Sequence, residues 1–524
     1  MAPGMSFLQV ILSSICIFGL YYICYYFTSP LKSIPGPFLA KFTNLWRLID
    51  VYGGRPELTH QLLHQKYGQA VRIGPNVVSL SDPKLIPKIY SLKGEFLKSD
   101  FYTVNDTKVG NAIIKNAFST QSNEVHAQML RPIQKFYNMG SVLSLEKSVD
   151  DTITAFFKRL NELFVDGSSA GTVCKMEDWM MYFSWDVISQ ITFSRPMRFM
   201  ETASDHTGFI HVAEQALDYF GVVGQIPTLD QWLGKNPITP IGPPTFDKAA
   251  IWCAEQSIAR QQGIDGKSTD SKDMLDGFIE LKKTNPELMD DNAIVGSLLL
   301  NVLAGADTSA IVLRSIIYYT IKAPRVHNKL IRELNSANLS IPVTYKEASK
   351  LPYLEAVIRE ASRVHAGVGL LLERIVPASG LTLSDGTFLP PGTIVGINPW
   401  VTNQNKTVYG EDASSFVPER WLRYGDLETE AEYQSRLSTM RQTDLSFGAG
   451  NRICLGKNIS TLTIYKLIAS LFLTYDKISL VDPKKEWQLQ NSWFVRQTGI
   501  DVKIEKRKSS NLQIKKKVGG SAGV

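Results

Sequence analysis

The chain has 524 residues, 44% of them hydrophobic and 20% charged, and is too long for a small module. Its five cysteines (Cys16, Cys24, Cys174, Cys253 and Cys454) are scattered and too few for a disulfide framework, which points to a reducing compartment. The net charge of +6 is not spread over the chain: seven of the 56 Lys/Arg and one of the 50 Asp/Glu lie between Lys503 and Lys517, leaving 49 of each sign elsewhere. A surface this neutral excludes a dedicated nucleic-acid binder, and neither the cysteines nor the seven histidines are expected to build a zinc site.

No Asp, Glu, Lys or Arg precedes Lys32, and Phe7 to Phe27 is apolar over about the ~20 residues that cross a bilayer. Tyr21, Tyr22, Tyr25 and Tyr26 gather at one end, as an interfacial belt would, and Lys32 and Lys41 follow. The expectation is a membrane anchor over 7–27 with the remainder in the cytosol; a buried terminal helix is the plainer alternative. The run IPGPF, Ile34 to Phe38, cannot continue a helix and marks a stiff elbow over 28–43. One domain is expected over 44–505, and a basic, solvated tail over 506–524, with weak attraction to anionic lipid.

The domain reads as mainly α with a smaller β region. Asn292 to Ala323 forms a long apolar helix that Pro324 ends; Asp307 at its centre argues for a buried axis rather than a second membrane span. Leu351 to His365 forms a second helix, and Leu381 to Asn398 reads as short strands with turns.

Three constellations carry chemistry. SFGAGNRICLG, Ser446 to Gly456, holds one thiol among three glycines with Arg452 two residues before it. A thiolate in a small-residue loop lets a flat, bulky partner approach the backbone, frees N–H groups for the sulfur, and offers an arginine to an anionic side arm. These features describe haem, although a buried structural cysteine is the commoner fate of a lone thiol. Glu360 and Arg363 share a helical face, and FVPERW adds Arg420; alone, such a pair is usually a weak surface ion pair. AGADTS, Ala304 to Ser309, puts Gly305, Asp307 and Thr308 in mid-helix. The glycine fits a helix that opens beside a ligand, and Asp307 and Thr308 fit proton delivery; the bland alternative is a hydroxyl back-bonding to the i−4 carbonyl.

In order and spacing these segments resemble the cytochrome P-450 superfamily of haem-thiolate monooxygenases. The loop matches F-x-x-G-x-R-x-C-x-G at each fixed position, and EASR, FVPERW and AGADTS agree with it. IPGPFLAKFTNLWRL, KYGQAVRIGPNVVSLSDP and FLKSDFY further resemble fungal microsomal members of secondary metabolism, near the pisatin demethylase-like group. The resemblance implies the cytochrome P-450 fold with heme b. It makes Cys454 the iron ligand, with Phe447 beside it and Gly450 and Gly456 admitting the porphyrin. Arg452 and Arg374 would hold propionates, and Glu360, Arg363 and Arg420 would form a supporting triad. Asp307 and Thr308 would manage protons on dioxygen. Where related sequences hold a propionate with Trp/His-x-x-x-Arg, this chain has His126 followed by Leu130, Arg131 and Pro132; His126 and Arg131 are carried as haem contacts. Ala366 and Leu371 replace prolines of related sequences, and are read as a change of specificity.

The implied activity is insertion of one oxygen atom of O2 into a lipophilic small molecule at the endoplasmic reticulum membrane. With no dinucleotide-binding glycine motif or flavin extension, NADPH and flavins would act through a separate NADPH-cytochrome P-450 reductase, with cytochrome b5 as a further electron partner. The pocket is expected from Phe101 to Phe118, Phe209 to Val223, Val302 to Ala306, Val368 to Leu372, and Trp493 with Phe494; Leu370 falls within these runs. Rivals are a reductase-independent haem-thiolate isomerase or dehydratase, against which Asp307 and Thr308 count; a non-catalytic membrane haem-binding protein, which needs no pocket; and a thiol enzyme using Cys454, which lacks an adjacent histidine.

Overall fold

The computed structural model describes residues 27–109, 112–239, 241–243, 246–267 and 272–506, together with positions 13, 19 and 20. Most of the expected anchor and nearly all of the basic tail lie outside the described residues. Eight helices position the site: α1 (Leu45–Tyr52), α2 (Asn123–Leu130), α3 (Glu146–Leu160), α4 (Met176–Phe193), α5 (Phe209–Val223), α6 (Asp291–Lys322), α7 (Pro352–Val364) and α8 (Lys457–Thr474). The fold is mainly α with a smaller β region.

α6 is the axis. Asp290 caps its start by accepting from the Ala293 N–H at 2.7 Å. Alone among the described helices it is long and apolar enough to cross a membrane. Instead it packs against α4, α7 and α8, and Leu298, Ala310, Leu313 and Ile317 are fully buried. An apolar helix wrapped by other helices buries its surface against protein, which removes any need for lipid. α4 is apolar nearly all round for the same reason: it lies between α3 and α6. The largest core cluster runs through these helices and α8.

A five-stranded sheet stands to one side, ordered β1 (Ala70–Gly74), β2 (Val77–Leu80), β6 (Ile394–Ile397), β5 (Arg374–Ile375), β3 (Leu97–Lys98). β6 runs parallel to β2, pairing Ile394 with Val77, and β5 is antiparallel to both β6 and β3. This brings Lys98 opposite Arg374. A second sheet orders β7 (Tyr475–Leu480), β10 (Asp501–Lys506), β4 (Cys174–Lys175), and a hairpin joins β8 (Gln488–Asn491) to β9 (Val495–Thr498).

The elbow packs onto the domain. Leu31, Ile34 and Ala40 are buried, and the Arg72 N–H donates to the Pro35 carbonyl at 2.7 Å. Two prolines fix the chain in an extended shape that lies along β1.

Candidate active site

The thiol loop is shaped by its backbone. Gly450 adopts φ +68°, and a Cβ there would come within 2.1 Å of the Tyr90 carbonyl, so the loop can lie on that strand-side segment only with glycine. The Cys454 N–H donates to the Phe447 carbonyl at 2.8 Å, which closes the turn. Gly456 then caps α8, and the N–H groups of Gly456 and Lys457 aim at the sulfur. Cys454 is exposed as a residue, yet protein surrounds the thiol closely enough that burial pushes it up; the Gly456 N–H and the Lys457 charge oppose this. A thiolate at a helix N-terminus, held by two N–H groups, is prepared for a metal that displaces its proton.

Tyr137 links this loop to α6. Its carbonyl accepts from Asn458 Nδ2 at 2.8 Å, its hydroxyl donates to Asn301 Oδ1, and burial, with Cys454 as a lesser cause, raises its phenol. Further along α6, Ala304 is exposed and Thr308 half-buried, one turn apart on the same face. Thr308 Oγ1 donates to the Ala304 carbonyl at 2.7 Å, the bland arrangement expected of a helical threonine, and this leaves its oxygen free to accept. Asp307 is buried and pushed up to about 7 by desolvation, then by Glu214. Gly305 has a packing role beside the one expected: a Cβ there would meet Ile188 side-chain carbons at 2.9 and 3.0 Å, so the glycine admits α4. Val302 and Ala306, expected in the pocket, are fully buried in the helical core. At 3.6 residues per turn they fall on the opposite face from Ala304 and Thr308.

Beside the loop lies a group of cations. Burial and then Arg374 hold Arg452 down to about 10, and burial, Arg374 and Arg452 hold Lys98 well below the usual lysine range. Arg452 donates to Asn123 Oδ1 and to the Gln121 and Ser122 carbonyls, but its buried Nη1 has no partner. Arg374 donates to its neighbour Glu373's carbonyl at 2.8 Å and lies over the Tyr90 ring. Lys98 donates to the Phe118 carbonyl and faces the Tyr102 and Phe118 rings. No carboxylate of the described residues pairs with any of the three, a concentration of positive charge that calls for an anion. His126 belongs to this group: burial, Arg452 and Lys98 lower it to about 4. Arg131 does not. α2 stops at Leu130 before Pro132, which leaves Arg131 exposed at the helix end.

Residues 35–503 match the family model for cytochrome P450. The chain is a cytochrome P450. It is 38% identical over 98% of its length to cytochrome P450 monooxygenase cfoH of Aspergillus candidus, covering 94% of that protein. It is also 38% identical to cytochrome P450 monooxygenase cicH of Emericella nidulans, over 94% of this chain and 97% of that one. Cytochrome P450 monooxygenase mpaDE of Penicillium roqueforti is 36% identical over 93% of this chain, which covers 56% of that longer protein. The activity class is therefore that of a haem-iron monooxygenase, an oxidoreductase.

Haem fits what this cytochrome P450 offers: one thiol under two N–H groups, an orphaned guanidinium nitrogen, and three cations suited to two carboxylate side arms. Glu360, Arg363 and Arg420 do come together as a triad. Glu360 accepts from Arg363 at 2.7 and 2.8 Å, from Arg420 Nε at 2.8 Å, from Trp421 Nε1 at 2.9 Å and from the Val417 N–H at 2.9 Å. Arg363 also donates to the Asn403, Ala413 and Ser415 carbonyls, which ties the irregular run before FVPERW to α7. The whole cluster is buried.

Phe101, Val368, Leu370, Leu372, Trp493 and Phe494 come together in one apolar cluster with Tyr102, Phe118, Phe220 and Val223. The Phe101 ring lies tilted against Phe220 and Trp493, with ring centroids 4.6 and 5.3 Å away. Trp493 holds φ +142°, fixed by its carbonyl accepting from Gly369 at 2.9 Å. Lys98 is the site residue that sequence reasoning passed over, because only the β3–β5 pairing sets it opposite Arg374. His60 and His64, four apart on one helix, serve separate partners (Asn398, and Gly68 with Ser79), and no metal cluster occurs among the described residues.

Proposed function

We propose that this cytochrome P450 binds heme b through Cys454 and inserts one oxygen atom of O2 into a lipophilic small molecule of fungal secondary metabolism. The observation that carries the reading is the Cys454 sulfur, set at the N-terminus of α8 beside three cations that no carboxylate neutralises. Haem bound there supplies dioxygen activation and attack on an unreactive C–H bond.

The chain's own residues do the rest. The Gly456 and Lys457 N–H groups temper the sulfur's charge, while Lys98, Arg374 and Arg452 hold the propionates. Thr308 offers an accepting oxygen on the open face of α6, and Asp307, poised about 7, gives and regains a proton at cytosolic pH. The aromatic cluster from Phe101 to Trp493 excludes water and selects an apolar substrate. Electrons reach this site from NADPH through a separate flavoprotein reductase, with cytochrome b5 as an accessory donor. Phe38, Leu39, Leu45, Ile49 and Tyr52 are strongly exposed next to the elbow, which supports a domain resting against the endoplasmic reticulum membrane on its cytosolic side.

The test is the reduced carbon-monoxide spectrum. The wild type gives the red-shifted Soret band of a thiolate-ligated haem, and Cys454→Ser loses both the band and NADPH-dependent turnover. A serine variant that keeps turnover overturns the reading. Comparing metabolites with and without the gene, then incubating the accumulated precursor with microsomes and reductase, identifies the substrate.

A further inference from the structure

Asp307 is 4% exposed, and its Oδ1 has no hydrogen-bond partner. A second buried orphan lies against it. Trp185 on α4 is fully buried, its Nε1 also lacks a partner, and its indole N–H nonetheless lies close enough to draw the Asp307 carboxyl down. Two complementary polar groups, both removed from water, are each costly to leave unpaired until they meet.

The surroundings explain why the pair stands alone. Arg314, two turns along α6, donates both Nε and Nη2 to the Glu177 carbonyl, at 2.9 and 2.7 Å. Arg496 on β9 pairs with Asp218 on α5. Both lower Asp307 from a distance but bond elsewhere, whereas Glu214 on α5 opposes its ionisation. Trp185 is fixed from behind by edge contact with Phe199 at 5.6 Å. Ile188, one turn along α4, is the residue that the missing Cβ of Gly305 accommodates. The close helix approach at Gly305 thus brings the indole to the acid.

We propose that Trp185 is a positioning residue for the proton-delivering acid: its indole N–H binds Asp307 as a carboxylate and releases it as a carboxylic acid. This rests on the reading of Asp307 and Thr308 given above. The carboxyl gives its proton on the Thr308 side, and the indole holds the anion left behind. A proton arriving from solvent past half-buried Glu214 restores the acid and breaks the indole bond.

The test uses the ferrous carbon-monoxide holoprotein labelled with 5-fluorotryptophan, the Trp185 signal being assigned by its loss in Trp185→Phe. That ¹⁹F signal shifts between pH 5 and 9 with a midpoint near 7 in the wild type and stays still in Asp307→Asn. A Trp185 signal that does not titrate, or titrates unchanged in Asp307→Asn, overturns the proposal without needing any variant to turn over. In parallel, NADPH consumption and peroxide release are followed with reductase. The alkaline limb of the Trp185→Phe profile moves up by roughly one pH unit, the worth of one charge-assisted hydrogen bond, and Trp185→His, which keeps an N–H, moves back toward wild type. If Asp307→Asn leaves peroxide release and its pH profile unchanged, the underlying proton-delivery reading fails; if it alters them while Trp185 is silent, only the positioning role fails.

Discussion

Two buried ionic clusters of this chain are built on opposite principles. Around Glu360, two guanidiniums, an indole and a backbone N–H surround one carboxylate, and the remaining guanidinium nitrogens reach carbonyls or Asp412. Around Arg452, three cations and a neutral histidine gather with no acid and one orphaned nitrogen. The first is complete and holds the chain; the second is incomplete without an anion from elsewhere. Burial alone therefore does not separate scaffold from binding site, whereas charge balance does.

Breaking the balanced cluster has the largest effect. Glu360→Ala leaves the buried Arg363 without a carboxylate and Arg420 with Asp412 alone, and costs about 3–5 kcal/mol, read as a lower unfolding midpoint and reduced haem content. Asp307 is an intermediate case, a buried acid with too few donors. Its pKa is raised, so the folded state keeps a proton that the unfolded chain has lost; stability falls as pH rises from about 4 to about 7 and is flat above. The loss reaches at most roughly 4 kcal/mol, and Asp307→Asn abolishes this slope in denaturant titrations across that range.

Neutralising the unbalanced cluster gives the opposite signature. Lys98→Met with Arg452→Met leaves the haem-free protein at least as stable as the wild type. Haem transfer to an acceptor protein then speeds up by about ten- to a hundredfold, since a hydrogen bond to a charged group is worth about 1.5–3 kcal/mol. Arg131→Ala sharpens the boundary of the cluster: exposed at the end of α2, it changes stability by about 0.5 kcal/mol or less and leaves haem transfer at the wild-type rate.

Much of the site was legible in the linear chain because its residues are neighbours or share one helix. Phe447 to Gly456 needs only a local turn and a helix start, and Asp307 with Thr308 needs only α6. Glu360 and Arg363 lie one turn apart, and Arg420 joins them through the short run that Arg363 itself ties down. The failures share a cause as well. Val302 and Ala306 were grouped with Thr308 by proximity in sequence, but helical rotation turns them into the core. The packing role of Gly305 depends on Ile188 of another helix, and the reach of Arg131 was cut by a proline-ended helix.

The sequence by itself determined the chemistry of this cytochrome P450: which thiol is exposed in a glycine loop, which acid and hydroxyl share a helix, and which segment is too apolar to face water. Tertiary structure decided which charges lack partners. Lys98 and Arg374 are 276 residues apart and meet because β3 pairs with β5, and Trp185 reaches Asp307 because a glycine lets two helices close. Local chemistry follows from residue type and spacing along the chain, whereas an unmet hydrogen bond or charge exists only once folding has removed water and fixed which groups remain nearby.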